Sequence, residues 1–166
     1  MCSPKWSDAA FTLDDVRAAV ADVAERSFFA MVDPCDDEQV LEASPYESWF
    51  SAAVRFDDGS GAGQIVCTLP QPLADRLFDA FSGREPGEPL PEAERLDLVG
   101  ELTNMICGAC LTRGARERTF SLSKPAVASV PAPAGGVAGS RLLMTINEYP
   151  FVVDVRAETV VPAVSA

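Results

Sequence analysis

The side chains best suited to chemistry lie along one edge of a predicted helix. Over Pro91–Gly114, PEAERLDLVGELTNMICGACLTRG, the residues Glu94, Asp97, Glu101, Asn104, Gly108 and Thr112 recur every three or four positions. At about 100° per residue this spacing aligns them in a single strip. Glu101 and Asn104 stand at i and i+3 and can address one target together. A carboxamide offers both donors and an acceptor, so it can hold a water in a set direction without taking its proton. A carboxylate beside it can grip a cation. Gly108, one turn further on, removes a side chain and lets another surface approach. Asp97 adds charge on the N-terminal side, where the helix dipole tolerates it. The remaining residues, Leu96, Leu98, Val99, Leu102, Met105, Ile106, Cys107 and Cys110, cover more than half of the circumference. A helix this apolar belongs in a core, and its thin polar strip must meet water or a partner.

Other chemistries fit less well. Cys107-Gly-Ala-Cys110 is a C-x-x-C, but it lies deep in the predicted helix on the face to be buried. A redox pair is usually found at a helix N-terminus, where the dipole lowers a thiol pKa. Zinc would need two further ligands, and there is no second pair, so no metal site is expected. The chain has no histidine, which excludes Ser-His-Asp and Cys-His triads and histidine-ligated metals. Asp57-Asp-Gly-Ser-Gly-Ala-Gly63 is glycine-rich, but it carries two aspartates, lacks a following Lys-Ser/Thr and joins two strand patterns. It reads as a hairpin turn rather than a phosphate cradle.

The 166 residues suit one domain, and 48% hydrophobic residues can bury a real core. A net charge of −12 repels phosphate backbones and anionic lipid, so neither nucleic acid nor a membrane is an expected partner. No run approaches the roughly 18 apolar residues of a membrane span, and MCSPKWSDAAF lacks the form of a signal peptide. Five scattered cysteines fit reduced thiols and a cytoplasmic location.

The elements that position the strip follow from the pattern. Residues 1–10 are expected to be a flexible lead-in. Thr12-Leu-Asp-Asp15 has the form of an N-cap, and Val16, Val20, Val23, Ser27, Phe28 and Met31 share one face of a helix reaching about Val32. Pro34–Glu38 forms an acidic loop. Tyr46–Phe56 alternates as a strand, with Tyr46, Phe50, Ala52, Val54 and Phe56 on the buried side and Trp49 on the other, partly covered. Gln64–Leu69 returns, Pro72–Phe81 forms a short helix, and the long helix follows, with Pro91 in its first turn and Gly114 just past its end. Thr119–Ser123 is a strand that Ala126–Val130 extends. Residues 131–139, PAPAGGVAG, form a flexible loop. Arg141–Ile146 and Phe151–Arg156 make a second hairpin about Asn147-Glu-Tyr-Pro150, and residues 161–166 are a tail. The expected fold is α+β: an antiparallel or mixed β-sheet packed against about three α-helices, in one domain over 11–160.

Asp97-x-x-x-Glu101-x-x-Asn104, set in LVGELTNMICGACLTRG and followed some twenty residues later by Pro125 in FSLSKPAV, resembles the signature of the CheC/CheX chemotaxis phosphatases. The element order is similar too, over about residues 12–157. The resemblance implies a CheX-like domain that removes phosphate from the aspartyl-phosphate of a CheY-like response-regulator receiver domain. Asn104 would orient the attacking water and Glu101 would engage the receiver's lysine, with Asp97 and Gly108 meeting the partner. It implies no cofactor of its own, since Mg2+ would sit on the receiver, and a homodimer through sheet edges. CheC-type proteins can carry two such sites. In Asp22-Val-Ala-Glu25-Arg-Ser-Phe28 a phenylalanine stands where the second asparagine would be, so one site is expected. A non-catalytic receiver-binding or scaffold module using the same helix face remains an alternative, and a thiol–disulfide protein a weaker one.

Overall fold

The computed structural model describes residues 11–35, 37, 39–42, 44–59, 61–134 and 140–158. The expected lead-in over 1–10, most of the 131–139 loop and the 161–166 tail lie outside the described residues. The elements run α1 (Leu13–Phe28), β1 (Val32–Pro34), α2 (Gln39–Glu42), β2 (Trp49–Asp57), β3 (Ala62–Pro70), α3 (Gln71–Ser82), α4 (Glu92–Gly114), β4 (Ser121–Leu122), β5 (Ala126–Val130), β6 (Ser140–Ile146) and β7 (Tyr149–Glu158). Every strand pairing is antiparallel, in the order β1-β6-β7-β3-β2, with β4 and β5 both laid along the free side of β2. Among the described residues this is the α+β layout expected from the pattern, with a one-turn fourth helix and seven strands.

The core lies between one face of the sheet and α1, α3 and α4. Each helix reaches it through local sequence. Thr12 caps α1 in a full capping box with Asp15. α1 ends at Phe28, short of the expected Val32, because Phe29 turns left-handed (φ 52°) and Ala30 N–H closes back on Ala24 O at 3.0 Å. The freed chain becomes β1, a three-residue strand that periodicity did not reveal. α4 begins after Pro91, which is its N-cap rather than its first helical residue, and Gly114 is its last helical residue.

The second sheet face has its own small core. Trp49 was expected to be partly covered; it is fully buried, packed with Leu41, Leu143 and Val152. Its indole N–H donates to Tyr46 O at 2.9 Å. Tyr46 precedes the strand and joins this second cluster, not the first face where alternation put it. The cover comes from α2, which follows the predicted Pro34–Glu38 loop in a stretch to which the pattern assigned no element. β4 and β5 are likewise two strands, not one. Between them Ser123 keeps contact with β2: its N–H donates to Arg55 O at 2.8 Å, and its Oγ accepts from Arg55 N–H at 2.9 Å. The last hairpin turns on two residues, Asn147 (φ 49°) and Glu148 (φ 71°), the positive-φ pair that a tight antiparallel turn demands.

Candidate functional site

The strip is built on a helix that cannot turn. Leu98, Val99, Leu102, Ile106, Cys107 and Cys110 of α4 are buried against β2 and α1. Thr103 is also buried, and its hydroxyl donates to Val99 O at 2.8 Å, so its polar group is satisfied within the helix. At the N-terminal end the Arg95 guanidinium grips the Asp75 carboxylate of α3. At the other end Ala115 N–H closes on Leu111 O at 2.9 Å.

With those faces buried, the strip faces out. Asp97 and Glu101 are exposed, and Asn104 and Gly108 are half-buried. Neither the Glu101 carboxylate nor the Asn104 carboxamide has a hydrogen-bond or ion-pair partner among the described residues. The predicted residues therefore share one face, one helical turn apart, with their polar atoms uncommitted. In α1 the corresponding position is closed, because Phe28 is a core residue.

One positioning residue, Gly100, was not singled out by the sequence pattern. A Cβ at Gly100 would lie 3.1 Å from Val127 Cγ1 and 3.2 Å from Pro125 Cβ. The missing side chain lets the β5 edge and Pro125 press against α4 beside Glu101. Gly108 is the converse, because nothing lies within 4 Å of its Cβ position. The close approach within the chain is thus at Gly100, while Gly108 opens onto free space. Only the adjacency of Gly100 to Glu101 hinted at this in sequence. Beyond Gly108 an open pocket of about 410 Å3 runs to Arg116, Arg118 and Phe120; sequence reasoning did not find it either.

The C-x-x-C thiols lie on the inner side of the same helix. Burial pushes Cys107 up to about 12 and Cys110 further; burial also lifts Cys67 to about 12, partly offset by the neighbouring Thr103 side chain. At neutral pH these thiols are protonated and poor nucleophiles. Among the described residues no three cysteine, aspartate or glutamate side chains are placed to hold a metal ion, and no helix is long and apolar enough to cross a membrane.

A Glu–Asn pair thus stands open on one face of a helix whose other faces are buried. The family model described as Chemotaxis phosphatase CheX matches residues 50–132, and the chain belongs to that family. Among solved structures it is similar to the chemotaxis protein CheX from Vibrio vulnificus, at 21% identity and a TM-score of 0.67 over 92% of this chain and 100% of that one. It is also similar to a CheC-like superfamily protein from Shewanella sp. PV-4, at 19% identity and a TM-score of 0.66 over 92% and 99%. The CheX–CheY–BeF3–Mg2+ complex from Borrelia burgdorferi is more distant, at 14% identity and a TM-score of 0.57 over 89% and 97%. No match is found among curated protein sequences.

Proposed function

We propose that this protein dephosphorylates the aspartyl-phosphate of a CheY-like receiver domain, through a single site formed by Glu101 and Asn104. The observation that carries the proposal is the uncommitted carboxylate and carboxamide projecting from a helix fixed on its other faces. Membership of the CheX family supports it.

In this mechanism the Asn104 carboxamide accepts a hydrogen bond from a water and holds its oxygen in line with the P–O bond to the receiver's aspartate. The water attacks phosphorus, that P–O bond breaks, and inorganic phosphate and a free carboxylate leave. A carboxylate is a good leaving group, so positioning can supply much of the rate without a strong base on this chain. Glu101 pairs with the receiver's lysine and fixes the register of docking, while Asp97 and Gly108 meet the receiver's surface. The Mg2+ belongs to the receiver, so this chain needs no cofactor of its own. On this reading the protein works in the cytoplasm alongside its receiver. A homodimer would form along the edge strands β1 or β5, and sedimentation would detect it.

Phosphate release from a phosphorylated receiver tests the proposal. Asn104→Ala is expected to lose on the order of 100-fold in turnover while binding changes little. Equal turnover would leave only the non-catalytic receiver-binding module using the same face.

A further inference from the structure

Four of the 13 cationic side chains, Arg113, Arg116, Arg118 and Lys124, fall in a stretch with one acid, Glu117. Arg113, Arg116 and Arg118 gather at the C-terminal end of α4 in a protein of net −12; Glu117 and the Asp58 carboxylate bound to Arg118 offset two of these charges, and Lys124 lies further along the chain, next to Pro125 beside Gly100. The open pocket of about 410 Å3 lies at the same place, with Leu111, Phe120 and Leu122 as its apolar wall and Arg116 and Arg118 beside them. Arg118 is held in position. Its Nε donates to Asp58 Oδ2 at 2.6 Å, and its guanidinium carbon lies 4.9 Å from the centroid of the Phe120 ring. Arg116 is exposed and has no partner among the described residues.

The strip is therefore polarised. Glu94, Asp97 and Glu101 lie on one side of Asn104, and the arginines and the pocket lie on the other, about 12 Å along the helix from Asn104 to Thr112. A phosphorylated aspartate with bound Mg2+ is ringed by further oxygen ligands, mostly carboxylate, because Mg2+ takes hard donors. Such a site is repelled by most of this chain's surface. The end of α4 beyond Gly108 is where the field favours its approach.

We propose that this pocket is a second docking point for the same receiver domain. It takes an apolar side chain of the receiver flanked by carboxylates, and so sets which way round the receiver lies along the strip. The inference rests on the receiver reading above. It adds contacts that the Glu101–Asn104 pair does not need for chemistry but does need for orientation.

The test uses the full chain and a phosphorylated receiver, with kcat and KM measured separately and Kd read on the beryllofluoride-activated receiver. Arg116→Glu is expected to raise KM and Kd about tenfold, to leave kcat within about twofold, and to flatten the salt dependence of Kd. Arg116→Lys should stay near the parent. Arg156→Glu, an equal charge change on the exposed opposite sheet face, should also stay near the parent. An Arg116→Glu variant that binds within twofold of the parent, or an equal loss in Arg156→Glu, overturns the docking point and leaves the phosphatase reading standing. Equal turnover in Asn104→Ala, with binding still lost in Arg116→Glu, overturns the phosphatase reading and leaves the docking point standing. A parent chain that binds no receiver overturns both.

Discussion

Asn104 and Cys107 are three residues apart on one helix and live in different solvents. The carboxamide reaches water, whereas the thiol is sealed between α4 and its neighbours. That difference can be measured. Cys67, Cys107 and Cys110 are expected to resist alkylation at pH 8 in the native state and to react fully in denaturant; mass spectrometry counts the adducts. Rapid native labelling of Cys107 and Cys110 would instead revive the thiol–disulfide reading. The same burial links stability to alkaline pH. An unfolded thiol titrates near 9.0, whereas Cys67 and Cys107 are lifted to about 12. The folded state holds these protons after the unfolded chain has released them. The stability these thiols contribute is therefore whole below about pH 9 and is lost progressively as the pH rises from 9 towards 12. Urea unfolding at pH 8 and pH 10.5 reads the loss. Replacing Cys67 by alanine should shrink the pH dependence even though it also leaves a cavity.

Within α4, two glycines one heptad and a residue apart are expected to respond oppositely to alanine. Gly100→Ala brings a methyl against Pro125 and Val127, and is expected to cost about 1–2 kcal/mol despite the better helix propensity. Gly108→Ala meets nothing, so propensity alone acts and stability should rise by about 0.5–1 kcal/mol. If the strip receives a receiver, the same Gly108→Ala variant should bind it less well. Thermal melts and binding isotherms on both variants check the contrast, and matching signs would contradict it. The legibility of the elements follows their length and locality. α4 was readable because a 23-residue helix repeats its pattern many times, and its strip needs no knowledge of other elements. β1 was not readable, since it is three residues long and its partner β6 is more than a hundred positions away. Trp49 was misjudged for the same reason. Alternation gives the face of a side chain, but its cover by Leu41, Leu143 and Val152 is a tertiary fact. The Glu101–Asn104 pair was visible; the Gly100–Pro125 contact that braces it was not, because it depends on how β5 meets α4.

At the scale of the molecule, a net charge of −12 on 166 residues makes the folded state repel itself. Raising NaCl from about 0.02 M to about 0.3 M is expected to raise Tm by a few degrees as the repulsion is screened. A fall in Tm would show instead that surface pairs such as Arg26–Asp22 outweigh it. The architecture also makes one demand on the order of folding. Met31 exchanges two hydrogen bonds with Asn147: its N–H donates to Asn147 Oδ1 at 3.0 Å, and its carbonyl accepts from Asn147 N–H at 2.9 Å. These groups are 116 positions apart. On a ribosome, α1 and β1 would leave the tunnel long before β6 exists, and would wait without the strand that seats them. Seating of β1 on β6 is thus a late closure between the two ends of the chain, after α1 and α4 have already been able to cover each other's apolar backs.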